Sequence, residues 1–248
     1  MSGRVYMKAR RSYRVLHQGR RGWVAFQVKH RETDLWIGAW KNLEKEALDA
    51  VLTCRHQLES YISRVPAFVG SLAPLPEDPL APPLLLTMLN AARQAGVGPM
   101  ASVAGAIAQE VGVALKPFSS SVIVENGGDC YLDMEEETTV GIYAGPRSPF
   151  SGKIGVRLPA DAFPLGICTS SGTIGHSLSF GKADAVTVTA RDAALADAAA
   201  TAVGNIVKSP SHIGEALERA REIPFLGGVL IAIKDKIGAW GDIELVRL

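Results

Sequence analysis

Apolar and polar residues alternate in short stretches at 12–17, 22–30 and 33–39, the period-two signature of half-buried strands. The period then changes. From Leu43 to Arg64 the apolar residues Ala47, Leu48, Val51, Leu58 and Ile62 recur at helical spacing, which predicts an amphipathic helix. Residues 65–83 are crowded with proline, which fixes φ and removes a backbone donor, so regular helix or sheet is not expected there. Of an ordered or gating loop and a domain linker, the loop is favoured. Helices are predicted at Leu84–Ala95 and Pro99–Leu115, the second with Pro99 in its first turn. Strands follow near 121–125, 130–134, 139–144, 153–158, 165–170 and 183–189. An Ala-rich helix with Asp192 as N-cap comes next, then a helix near 211–221 and strands at 227–234 and 243–247. Hairpins and helix pairs in this order, rather than alternating βαβ units, predict an α+β fold with mostly antiparallel sheets and packed helix pairs.

Composition narrows the class. A chain of 248 residues with 47% hydrophobic content has the material for a substantial core. Its three cysteines, Cys54, Cys130 and Cys168, are widely spaced with no C-x-x-C, which argues against a disulfide framework or zinc site and fits a reducing compartment. The N-terminal stretch lacks the apolar core of a signal peptide, and no apolar run is long enough to cross a bilayer, so a cytoplasmic protein is expected. Charge is unevenly spread: residues 1–31 hold nine Lys or Arg and no acid, leaving seventeen bases against twenty-five acids, or +9 against −8. Such an arm can meet phosphates or be the solvated side of a hairpin. No aromatic-basic RNA-binding motif accompanies it, so nucleic acid is not the expected partner.

Four stretches carry candidate chemistry. Asp197 and Thr201 stand four apart on the Ala-rich helix, so a carboxylate and a hydroxyl share one face, a donor pair suited to Mg²⁺ or to a solvent-facing stripe. In "VIVENGGDCYL", Asn126, Gly127, Gly128 and Asp129 form a strong hairpin-turn signal. The same glycines would let backbone approach a ligand, with Asn126 or Asp129 bonding a ring edge. The slender residues opening "GPMASVAGAIAQEVG" suit either a phosphate at exposed helix amides or close packing on a neighbouring element. Finally, "TSSGTIGHSLSFGKADAV" sets Ser171, Gly172, Thr173 and His176 before a strand, as a ligand-facing loop or as turn chemistry. "GVGPMA" matches a dinucleotide fingerprint only formally, because a helix precedes it, and Walker A, H-E-x-x-H and G-x-S-x-G motifs are missing.

Taken in order, "GAIAQEVG", "ENGGDCYL", "TSSGTIGH" and "DAALADAAATAVGN" resemble the successive motifs of the ApbE family, flavin transferases with a T-fold-like architecture. With "ETDLWIGA", the proline-rich segment and "GHSLSFGKADAV", the chain is still more similar to a cytosolic ApbE-like branch. The resemblance implies one ApbE-like domain over 1–248, an FAD cofactor and Mg²⁺. It also implies cleavage of the FAD pyrophosphate, with FMN passed to a Thr or Ser of an acceptor protein and AMP released. The family's A-D-x-x-x-T metal motif falls on Ala196, Asp197 and Thr201. Its S-G…H region falls on Ser171, Gly172 and His176, which puts His176 near the reacting phosphate. Among the departures, Gln109 stands where the family has lysine, and "SLSFGKAD" replaces the D-P-x-T-G that follows the transferase histidine. The alternative reading is a flavin or nucleotide binding module without transferase activity. The oligomeric state stays open.

Overall fold

The computed structural model describes residues 22–173 and 180–248. Eight antiparallel strands form the main sheet, in the order β1-β2-β3-β4-β7-β8-β9-β10. They are β1 (Val24–His30), β2 (Thr33–Ala39), β3 (Val122–Asn126), β4 (Asp129–Asp133), β7 (Leu165–Ser170), β8 (Ala185–Ala190), β9 (Leu226–Ile233) and β10 (Lys236–Gly241). A three-stranded antiparallel sheet joins β11 (Glu244–Arg247), β6 (Ile154–Leu158) and β5 (Thr138–Gly141). The α+β expectation is borne out.

Period two is what lets the main sheet be covered on both sides. On β9, Val229, Ile231 and Ile233 join the core under the helices, while Leu230 and Ala232 join a second core shared with Val156 and Leu158 of the small sheet. The helices are α1 (Glu44–Arg64), α2 (Ala67–Gly70), α3 (Pro83–Ala95), α4 (Val103–Leu115), α5 (Ala193–Ile206) and α6 (Ile213–Glu222). On the sheet, α1 lies on β1, α4 on β3 and β4, α5 on β7 and β8, and α6 on β9 and β10. α5 sits at the centre, touching α3, α4 and α6 as well, and its alanines make the close approach feasible.

Three expectations are corrected. The proline-rich segment contains one helical turn, α2, because Phe68 is driven fully into the core between α1 and the turn before α4. The single helix expected from Pro99 is a 3₁₀ turn, Pro99–Ser102, followed by α4, with the Ser102 hydroxyl donating to the Pro99 carbonyl at 2.8 Å. Strand β10 was not predicted, since the Lys234–Asp235 turn that leads into it has no glycine; Lys234 takes a φ of 55° and donates its amide to Asp184. The strand expected at 12–17 lies outside the described residues. Among the described residues no single helix is long and apolar enough to cross a membrane.

Candidate functional site

The β3–β4 turn, the end of β7 and the start of β8 gather at one end of the main sheet, beneath the first turn of α4 and the middle of α5. Asn126 pairs with Asp129 across a two-residue turn in which Gly127 and Gly128 have φ of +70° and +112°, the left-handed pair such a hairpin requires. Asn126 donates its side-chain amide to the Ala104 carbonyl at 3.1 Å, tying the hairpin to α4. Asp129 accepts from the Thr169 amide at 3.1 Å.

Asp197 closes the group from α5. Its carboxylate accepts from the Gly105 amide at 2.9 Å and also from the Ala104 amide, so it caps the N-terminus of α4 across 92 residues of sequence. This contact needs Gly105, where a Cβ would meet the Ala193 carbonyl oxygen at 2.2 Å and the Asp197 Cβ at 2.9 Å. Close packing is therefore what the slender start of α4 provides, and a carboxylate stands on the amides considered for a phosphate.

The electrostatics of the group are unusual. Burial, reinforced by the Glu125 charge, pushes Asp129 up to about 7, despite the opposing hydrogen bond from Thr169. Burial and then the negative charge of Asp129 push Asp197 well above the ordinary carboxylate range, against the two α4 amides. The Cys168 thiol lies within hydrogen-bonding reach of Asp129 and donates to the Ala193 carbonyl at 3.4 Å; burial and both carboxylates hold it protonated. Thr201, half-buried, follows Asp197 by one helical turn. Carboxylates and a hydroxyl form an all-oxygen set that fits a hard cation such as Mg²⁺. Among the described residues no three His, Cys, Asp or Glu side chains converge on one point, so such a cation would also draw on the hydroxyl, backbone carbonyls or water.

Sequence reasoning found one cap of α5 and missed the long-range contacts that complete it and close the start of α4. Asp192 caps α5 as predicted, accepting from Ala194 and Leu195 at 2.8 and 3.2 Å. Gln109 completes the cap by accepting from the Ala193 amide at 2.7 Å. A lysine there would bring a donor to a donor. The first amides of α5 are all engaged, leaving that end without a free anion site.

The loop after β7 is held by close backbone packing. The Gly172 amide donates to the Ala183 carbonyl at 3.0 Å, and a Cβ on Gly172 would meet the Gly181 carbonyl oxygen at 2.3 Å. A Cβ on Gly181 would in turn meet the Gly204 carbonyl oxygen of α5 at 2.0 Å. Ser171 accepts from the Thr173 amide at 3.2 Å, and the Gly128 amide donates to Glu125 at 2.8 Å. The Gly128, Gly172 and Thr173 amides are thus engaged within the chain, which limits these glycines' part as donors to a ligand. His176 lies outside the described residues.

A cavity of about 420 Å³ opens between the proline-rich segment and α3, lined in part by Glu77, Asp78, Asn90, Arg93 and Asp192. It shares no lining residue with the carboxylate pair. Chemistry, rather than volume, marks the surroundings of Asp197 in the body of α5 as the candidate site.

An antiparallel sheet with helices packed on one face is an architecture this chain shares with a solved flavinyl transferase. The apo structure of the Pseudomonas stutzeri flavinyl transferase ApbE matches with a TM-score of 0.57 at 12% identity, covering 88% of this chain and 93% of that one. The family model for AbpE bacteria matches residues 14–224, and the chain belongs to this family. Among curated proteins it is 41% identical to a UPF0280 protein of Methanocaldococcus jannaschii over 233 residues, 91% of this chain and 94% of the relative. A UPF0280 protein of Methanospirillum hungatei is 43% identical over 220 residues, 88% of each chain.

Proposed function

We propose that the chain binds a flavin or nucleotide through its phosphates and, with Mg²⁺ on Asp197 and Thr201, cleaves or transfers at the pyrophosphate of FAD. The observation that carries this reading is the Asp129–Asp197 pair. Two carboxylates held together where burial raises both of their pKa values favour a cation or a shared proton. A bound Mg²⁺ would neutralise charge developing on the pyrophosphate. The chain's own residues do the rest. Asp197 keeps α4 in place through Ala104 and Gly105, and Asn126 holds the β3–β4 turn to the same helical turn, so the negative end of the site is fixed before ligand arrives. His176 is assigned the proton of the attacking hydroxyl. The acceptor oxygen bonds the FMN phosphorus, the bridging P–O bond breaks, and AMP leaves. The acceptor would be a protein Ser or Thr, or water.

One observation favours a binding module instead. Gln109, at the family's lysine position, spends its side chain on the Ala193 amide, so a positive charge is exchanged for a structural bond. One experiment separates the two. Purified protein is incubated with FAD and Mg²⁺, then filtered, and FAD, FMN and AMP are quantified in both fractions beside Asp197→Ala. AMP formed by the wild type and lost in the variant supports the enzyme. FAD retained intact supports the module. Neither retention nor turnover refutes both.

A further inference from the structure

Resting on the reading that ligand phosphates sit at the Asp129–Asp197 end, we propose that Phe180 is the platform on which the ligand's planar ring stacks. This would make Phe180 the residue that favours a flavin over a bare pyrophosphate. Asp197, Thr201 and Asn205 follow one another at four-residue intervals, a polar ridge along one face of α5. Eight residues of helix span about 12 Å, which lies within the overall length of one flavin mononucleotide from its phosphate to the far edge of its ring. Asn205 ends the ridge, and its side-chain oxygen accepts from the Phe180 amide at 2.9 Å. The Lys208 ammonium donates to the Phe180 carbonyl from the same end of α5.

Both backbone groups of Phe180 are thereby fixed, and the next residue, Gly181, is seated on Gly204. Yet the side chain is 50% exposed. A large aromatic held by its backbone and left half in water keeps ring surface available for stacking, an interaction that tolerates any flat π-system. Phe180 also stands within the "SLSFGKAD" stretch that departs from the transferase motif, so it is a feature of this chain's own loop.

The test uses isothermal titration of the full chain with two probes in the presence of Mg²⁺, FMN and inorganic pyrophosphate, on wild type, Phe180→Ala, Phe180→Trp and Asp197→Ala. Circular dichroism melts check that each variant folds. The expected result is that Phe180→Ala weakens FMN roughly tenfold and leaves pyrophosphate unchanged. Phe180→Trp should keep FMN affinity and quench bound-flavin fluorescence, a signature that a purely structural side chain would not give. Unchanged FMN affinity in Phe180→Ala, or no quenching by Phe180→Trp, overturns the assignment while Asp197-dependent pyrophosphate binding leaves the site standing. If pyrophosphate binding is missing, or indifferent to Asp197, the underlying reading falls and takes the Phe180 assignment with it.

Discussion

Replacing Asp129 by asparagine removes one of two enclosed carboxylates while keeping an oxygen for the Thr169 amide. Burial above all pushes Asp129 in the folded chain up to about 7 from an ordinary 3.8. At about 1.36 kcal/mol per tenfold change in acidity, that gap is roughly 4 kcal/mol, a ceiling because Asp197 shares the titration. The sign follows from proton binding. Between these two values the folded state holds a proton that the unfolded state has lost, so the stability contributed by this group is full below about pH 4 and is lost as pH rises through 7. Urea unfolding without divalent metal should show the wild type losing about 2–4 kcal/mol more than Asp129→Asn between pH 4.5 and 8. Added Mg²⁺ should restore the wild type at pH 8 and do less for the variant, since the cation answers the charge that asparagine lacks. Parallel pH profiles for the two proteins would refute the argument that Asp129 is held against its ionisation.

Two further outcomes follow from packing and burial. Gly105→Ala places a methyl against the Ala193 carbonyl and the Asp197 stem, and should lower stability by about 1–3 kcal/mol and weaken Mg²⁺-dependent stabilisation, both read from thermal melts. Thiol labelling of the native chain at pH 8 should favour Cys130, which is half-buried. Burial pushes Cys54 up to about 12 and Cys168 well above its usual value, and both should react only after denaturation, as peptide mapping of the labelled protein would show.

The helical period of Ala47, Val51 and Leu58 located α1 because those residues do face the core, and Asp192 was legible as a cap because its partners are two and three residues away. Asp197 could be paired with Thr201 from spacing alone, but its hold on α4 spans 92 residues, and no local pattern encodes such a contact. Gln109 looked like a lost charge for the same reason: its partner is 84 residues distant. The glycines after β7 suggested turns or a ligand loop, whereas the space they leave is filled by neighbouring backbone, a matter of tertiary contact rather than of φ preference. Strand β10 was hidden because its turn uses lysine and aspartate in place of the usual glycine.

Gly172 stacks on Gly181, and Gly181 on Gly204, so the two ends of the connection from β7 to β8 are held independently of what lies between them. The chain departs at Thr173 and returns at Phe180 from two points clasped to each other and to α5, whatever sequence runs between them. Such a clasp works as a socket. A change of sequence or length between these two points is expected to leave the pairing of β7 with β8, and with it the carboxylates, in place.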